Sequence, residues 1–433
     1  MLKVFSLIAF VFLLSSSSNG QMQWMPIEST PVPGNSSRYE DMYFTSISTG
    51  YIIRYDGNMY KTTNSGANWT NIFTVNNALF RSIGFFDANT GIMGTLRDSI
   101  PMFRTTNAGV NWTKISSYGG TGIAPKGICG ISIANENVAY GVGRYYCPTY
   151  LVKTTNKGAN WNSIQIDTSL ARSLIDCHFW SADSGIVVGG YAGNNIYTQS
   201  VAVILLTTNG GQTFTRVHKT TRVGEFCWKI SFPSRNIGYV SIEATNWAAF
   251  AKTTNGGLNW TDALIPGTND LEGIGFINNS TGWVGGWGGL TFKTSNGGAN
   301  WVSDPWGQNV NRFRVFNDTF AYSVGTKVYK FSRLTTSVEP SSSIIPDKFI
   351  MSQNYPNPFN PTTRITYSIP QNNFVTLKIY NTSGSEVQTL INKQQIAGSY
   401  TVNFDAFGLP SGIYYYKINA GSFTETRKMV LIK

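Results

Sequence analysis

The octapeptide Thr62-Thr63-Asn64-Ser65-Gly66-Ala67-Asn68-Trp69 returns five more times, as Thr105 to Trp112, Thr154 to Trp161, Thr207 to Phe214, Thr253 to Trp260 and Thr294 to Trp301. The closing aromatics lie 41 to 53 residues apart. A period of that length, carried by β-branched and aromatic residues with Gly/Asn turns, fits one four-stranded propeller blade per repeat. A helical solenoid needs long stretches of 3.6-residue periodicity, and the chain has none. The expected fold is all-β: a seven-bladed β-propeller followed by a small Ig-like β-sandwich.

Each repeat keeps one internal order, clearest around Thr294 to Trp301. An inner strand (Ile274-Gly275-Phe276) leads to the turn Asn278 to Gly282, then come a second strand from Trp283, a hairpin and a third strand ending at Lys293. Phe85, Phe179 and Phe232 occupy the Phe276 position, each six residues before a Gly. In the repeated turn, Asn and Gly tolerate positive φ and close the loop with side-chain hydrogen bonds. The Trp then brings a large apolar area to pack between blades. After Trp301 an inner strand (Phe313 to Phe316) and a strand pair (Ala321 to Lys330) follow, with no closing phrase. Gln23-Trp24-Met25-Pro26-Ile27 resembles the segments that follow the turn elsewhere, such as Asn68 to Ile72. The expected seventh blade is completed by the N-terminus, over residues 21–333, which leaves the ring without exposed edges.

Lys3, an apolar run from Val4 to Leu14 and the stretch Ser15 to Gly20 read as a signal peptide over 1–20. A membrane span needs about 20 apolar residues, more than this run supplies. The chain has 433 residues and a formal charge of +11, with 14% aromatic and 13% charged residues. No Lys/Arg run or RNA-binding motif accompanies the charge, so in an exported chain it points to an acidic glycan or an anionic cell surface rather than nucleic acid, with a surface protein as the other candidate partner. Four cysteines, Cys129, Cys147, Cys177 and Cys227, leave two readings. One is the pairs Cys129–Cys147 and Cys177–Cys227, which export permits; the other is four buried free thiols.

Residues 334–348 read as a linker with Ser341-Ser342-Ser343 and two prolines. Over 349–433, period-two runs at Thr363–Ile369, Val375–Tyr380, Tyr400–Phe404, Gly412–Asn419 and Thr424–Lys433 predict an antiparallel sandwich. Its opening, Gln353-Asn354-Tyr355-Pro356-Asn357-Pro358-Phe359-Asn360-Pro361, with Gly412-Ile413-Tyr414-Tyr415 and the terminal Lys428 to Lys433, resembles the type A sorting domain of the type IX secretion system. That resemblance implies a Bacteroidetes-type outer membrane, contact with the secretion machinery, and release or attachment at the cell surface. The repeats resemble the Asp-box or BNR-like family, most closely photosystem II stability/assembly factor-like propellers. The resemblance implies that the phrase is a structural turn facing away from the ligand, and that an arginine patch can serve as a site. The F/Y-R-I-P motif of Asp-box sialidases is absent; Arg314 in Phe313-Arg314-Val315-Phe316 is a poor counterpart.

Around the entries to the inner strands lie Arg38, Arg81, Lys126, Arg172, Arg222 and Arg312. Recurring cations at a channel mouth would suit a carboxylate, sulfate or phosphate, and are otherwise solvated loop charges. Trp247 and Trp287 stand in the middle hairpins, either to stack on sugars or to fill gaps between blades. Glu225, Glu272 and Asp176 are the candidate carboxylates for hydrolysis, which needs two across a cleft. His178 and His218 do not make a zinc set, and no cofactor or metal motif occurs. The expectation is a monomeric exported module that binds a glycan or protein partner without catalysis. A polysaccharide-degrading glycosidase or lyase is the alternative, and a purely structural or adhesive surface protein is the second rival.

Overall fold

The structure is a computed structural model describing residues 22–432, except 32–37, 121, 145–147, 192–195, 268–269, 288–290, 318–319, 334–345 and 407–408. The expected signal peptide, most of the expected linker and Cys147 lie outside the described residues. Met22–Ser332 form one compact unit, and the C-terminal strands belong to another.

The first unit holds seven four-stranded sheets among the described residues. Six run in chain order from inner to outer strand; their inner strands are Tyr39–Phe44, Phe80–Phe85, Gly130–Ile133, Ser173–Phe179, Phe226–Ser231 and Leu271–Phe276. The seventh joins Arg312–Asn317, Phe320–Val324 and Val328–Arg333 to Met22–Pro26, so the N-terminal segment supplies its outer strand. Each inner strand packs against the next, and Tyr39–Phe44 meets the seventh blade, which closes the ring. The only helical element described here is a single turn, Ile196–Gln199, in the fourth blade's middle hairpin.

The repeated phrase is a self-contained hydrogen-bonded turn. In all six copies the Thr Oγ1 accepts the Gly N–H at 2.9–3.0 Å. The Asn Oδ1 accepts the N–H of the residue before the aromatic at 2.9–3.0 Å. The Gly sits at φ between 75° and 92°, a region that a Cβ disfavours. Trp112, Trp161 and Trp260 then bury their rings between their own blade and the preceding one. The preceding blade also reaches into the turn. Lys61 Nζ and Tyr51 Oη donate to Ala108 O at 3.0 and 2.9 Å, and Lys252 Nζ donates to Gly297 O at 2.7 Å. At the ring's seam Tyr322 Oη donates to Ser65 O at 3.0 Å.

The Phe-to-Gly spacing has a packing cause. The Phe ring lies over the facing glycine, and a Cβ added at Gly91, Gly185, Gly238 or Gly282 would stand 2.3–2.7 Å from ring atoms. Gly282→Ala is therefore expected to cost about 1–3 kcal/mol by overpacking against Phe276. Urea unfolding tests it: the midpoint should fall with the slope unchanged.

The C-terminal unit pairs two sheets, one of Ile350–Met351, Thr362–Ile369 and Gly398–Asp405, the other of Glu386–Gln395, Asn373–Tyr380, Gly412–Ala420 and Phe423–Leu431. Ile365, Tyr367, Leu377, Phe404, Tyr416 and Leu431 form its core. The Asn-Pro-rich opening is tied into it. Asn354 N–H donates to Tyr416 Oη at 2.8 Å, Asn354 Nδ2 donates to Thr363 Oγ1 at 2.9 Å, and Phe359 is buried. Among the described residues no helix is long and apolar enough to cross a membrane.

Candidate functional site

Most of the inner strands begin with a break in register, between Tyr39 and Asp41, Phe80 and Ser82, Leu174 and Asp176, Cys227 and Ile230, and Leu271 and Gly273. A bulge re-aims the extra residue. Here it turns Glu40, Arg81, Ile175, Trp228 and Glu272 toward the ring axis, each four residues before the phenylalanine that closes or follows the strand, Phe44, Phe85, Phe179, Phe232 or Phe276. The next residue along, Asp41, Asp176, Lys229 or Arg312 in four of the blades, joins them there.

These side chains fill the channel with ion pairs. Arg38 Nε donates to Glu40 Oε1 at 2.8 Å, and the Arg38 guanidinium clasps both Glu272 oxygens, Nη2 to Oε1 at 3.1 Å. Arg81 pairs with the other Glu40 oxygen, which also accepts from Asn311 Nδ2 at 3.0 Å. Arg312 spans the ring to Asp176 with contacts of 2.7 and 3.3 Å, and Arg314 grips Asp41 at 2.6 and 3.0 Å. Burial would raise the Asp41 carboxyl, but Arg314 and Arg312 outweigh it and hold it below the usual carboxylate range.

The expected cationic mouth is thereby corrected. Arg38, Arg81 and Arg312 are 5%, 1% and 5% exposed, and they neutralise carboxylates inside the channel. The six cations also belong to different register positions, so they form no single ring: Arg81 stands four residues before the strand's last aromatic and Arg172 seven. Arg222 is half-buried against Glu225 and Asp262, its Nη2 reaching Asp262 at 2.7 Å. Only Lys126 and Arg172 of the six are exposed. The candidate carboxylates are the partners of these same cations, Glu272 of Arg38, Glu225 of Arg222 and Asp176 of Arg312.

The two tryptophans share one arrangement at the channel mouth, the end opposite the repeated turns. Trp247 Nε1 donates to Glu225 at 2.8 Å, and Trp287 Nε1 donates to Glu272 at 3.0 Å. Arg38 lies 4.0 Å beneath the Trp287 ring, which is 45% exposed. Beside Glu272 sit Asp270 and Glu243. Burial and then the Glu272 charge push both up, Glu243 well above the usual range.

His178 stacks on Phe232 at 5.1 Å, and burial pulls its imidazole from 6.5 down to about 4. A neutral His178 stabilises the fold fully above pH 6.5. That contribution, on the order of 2–3 kcal/mol, fades as pH falls toward 4. Urea unfolding at pH 7 and pH 5, beside a His178→Phe variant lacking this dependence, checks it. His218 contacts Asp262 at 3.0 Å.

Cys129, Cys177 and Cys227 are buried free thiols, so the expected Cys177–Cys227 pair is not formed; the other expected pair involves Cys147, outside the described residues. Cys177 packs from the fourth blade against the third, whereas Cys227 packs from the fifth blade against the fourth, so a sheet separates them. Among the described residues no group of three or more His, Cys, Asp or Glu is placed to hold a metal ion. A cleft of 520 Å³ between the outer strands of the second and third blades contains none of the candidate residues.

Residues 353–433 match the family of secretion system C-terminal sorting domains. That domain marks the chain for export by the type IX secretion system, to the cell surface or beyond, and for contact with its machinery. The propeller is similar in fold to YCF48 from Cyanidioschyzon merolae, with 17% identity, TM-score 0.52, and 71% of this chain and 98% of that one covered. It is equally similar to YCF48 bound to D1 peptide, with 16% identity, TM-score 0.52, and coverage of 72% and 94%. A GH74 xyloglucanase from Xanthomonas campestris aligns with 11% identity, TM-score 0.51, and coverage of 80% and 59%. No curated protein sequence matches the chain.

Proposed function

We propose that the propeller is the recognition module of an exported protein and binds a glycan or protein partner, without catalysis, at the end of the ring that carries Trp247 and Trp287. The observation that carries this reading is Trp287. Nearly half its surface faces solvent, while Glu272 and Arg38 fix the ring from its edge and from below. A pre-oriented aromatic face loses little entropy when a sugar ring or an apolar side chain docks on it. The ion-paired state of Glu225, Glu272 and Asp176 also favours recognition, because each carboxylate is already engaged by an arginine.

The test is retention of the full chain on a panel of acidic and neutral polysaccharides and on cell-surface extracts, beside Trp287→Ala. Truncation of a central aromatic anchor is expected to cost about 2 kcal/mol, roughly a thirtyfold loss of affinity. Equal binding by the variant would move the site elsewhere on the ring.

One observation favours a glycosidase or lyase as second reading. Glu243, pushed toward its protonated form, neighbours Glu272, which Arg38 engages as a carboxylate, and a pair separated in this way suits a proton donor and its ionised partner. New reducing or unsaturated ends in the same incubations, lost in Glu243→Gln, would replace recognition by cleavage.

A further inference from the structure

One buried cation of the channel, Lys229, has no ion pair and no hydrogen-bond acceptor among the described residues; its Nζ lies 5.6 Å from the centre of the Trp228 ring. Among the described channel residues four carboxylates are matched by arginines, Glu272 by Arg38, Glu40 by Arg81, Asp176 by Arg312 and Asp41 by Arg314, while burial and the Glu272 charge push Glu243 toward its neutral form. Lys229 is left over. It is 1% exposed, and its Nζ meets no hydrogen-bond acceptor of the protein. The register break in its strand turns it inward, and its charged neighbours, Arg312, Asp176 and Arg81, come from three other blades. Its head group therefore lies near the ring axis. Arg312 Nε also lacks a hydrogen-bond acceptor, its contact with Asp41 Oδ1 being 3.5 Å long.

An ammonium taken out of water without an acceptor costs several kcal/mol. A water molecule would satisfy its protons but leave the uncompensated charge inside a closed ring of sheets. We infer that the channel binds a small monovalent anion of the halide class, held by Lys229 Nζ with the Arg312 edge beside it. The site is separate from the Trp287 face and stands whether or not that face binds a glycan. Its role is to neutralise the plug that holds seven blades together. Burial, and then Arg312, pull the Lys229 ammonium down to about 8, so the anion's hold should weaken as pH rises past that value.

Two measurements on the full chain test the site. Melting in sodium chloride is compared with sodium gluconate at equal ionic strength. Chloride should raise the propeller's melting temperature, by on the order of 5 °C at a hundred times its dissociation constant. Lys229→Met should remove the difference. Should that variant fail to fold, crystals of the unmodified chain grown in bromide decide the matter by an anomalous peak within hydrogen-bond distance of Lys229 Nζ. Identical melting in both salts, an ordered water in place of the peak, or a halide effect that survives in Lys229→Met would each overturn the inference, the last marking an adventitious ion only.

Discussion

Trp24→Ala is expected to lower the stability of the propeller by about 3–5 kcal/mol, the range for emptying a buried aromatic site. Trp24 lies on the one strand not contiguous with its sheet, Met22–Pro26, and is 5% exposed. It stacks on Trp306 at 4.7 Å and meets Trp283, Phe313 and Phe331 at 5.5, 5.4 and 5.2 Å. One side chain thus joins the sixth blade to both ends of the seventh. Deleting residues 1–27 should do more, because the backbone of Val328–Arg333 would become a bare edge open to a second molecule. Urea unfolding reads the substitution, and light scattering reads concentration-dependent association of the deletion. Unchanged unfolding in Trp24→Ala would mean that the seam is held by the blade faces alone.

The second large effect belongs to the channel. Arg312→Met leaves Asp176 buried without its cation and weakens the hold on Asp41, with an expected loss of about 3–5 kcal/mol. The double variant Arg312→Met/Asp176→Leu should recover most of it, since an apolar pair of similar volume replaces a buried ion pair at little net cost. A double-mutant cycle measures the coupling. A single-variant loss below about 1 kcal/mol would mean that the pair is solvated rather than buried. The same reasoning reassigns Arg81 and Arg312 from ligand binding to architecture, so their truncation would unfold the ring before it reported on any partner.

The architecture was legible because its signals are local and repeated. Thr, Asn and Gly of the phrase each satisfy a backbone group within the same turn, so the repeat shows the turn directly. The aromatic of Gln23-Trp24-Met25-Pro26-Ile27 disclosed the closing strand for the same reason. One strand, Glu386–Gln395, escaped notice because its polar, largely exposed side chains interrupt the period-two pattern. The channel is harder to read for a different cause. Closeness to a strand entry picks out scattered cations, whereas the bulge selects residues by register. Counted four residues back from Phe44, Phe85, Ile133, Phe179, Phe232, Phe276 and Val315, one column reads Glu40, Arg81, Cys129, Ile175, Trp228, Glu272 and Asn311, and the next holds Asp41, Asp176, Lys229 and Arg312. Those columns carry the signal. What a single sequence cannot supply is the pairing across the ring, such as Arg312 with Asp176, because those residues are 136 apart in the chain.

The borrowed strand of the seventh blade also sets an order of events. Trp24 is made long before the rest of its blade, and its pocket is complete only once Phe331 exists, with the sorting domain beginning little more than twenty residues later. A chain interrupted anywhere before that point has neither a sealed ring nor an address label. Geometry therefore acts as a completeness check: the molecules able to hide their last sheet edge are those about to acquire the means of leaving the cell.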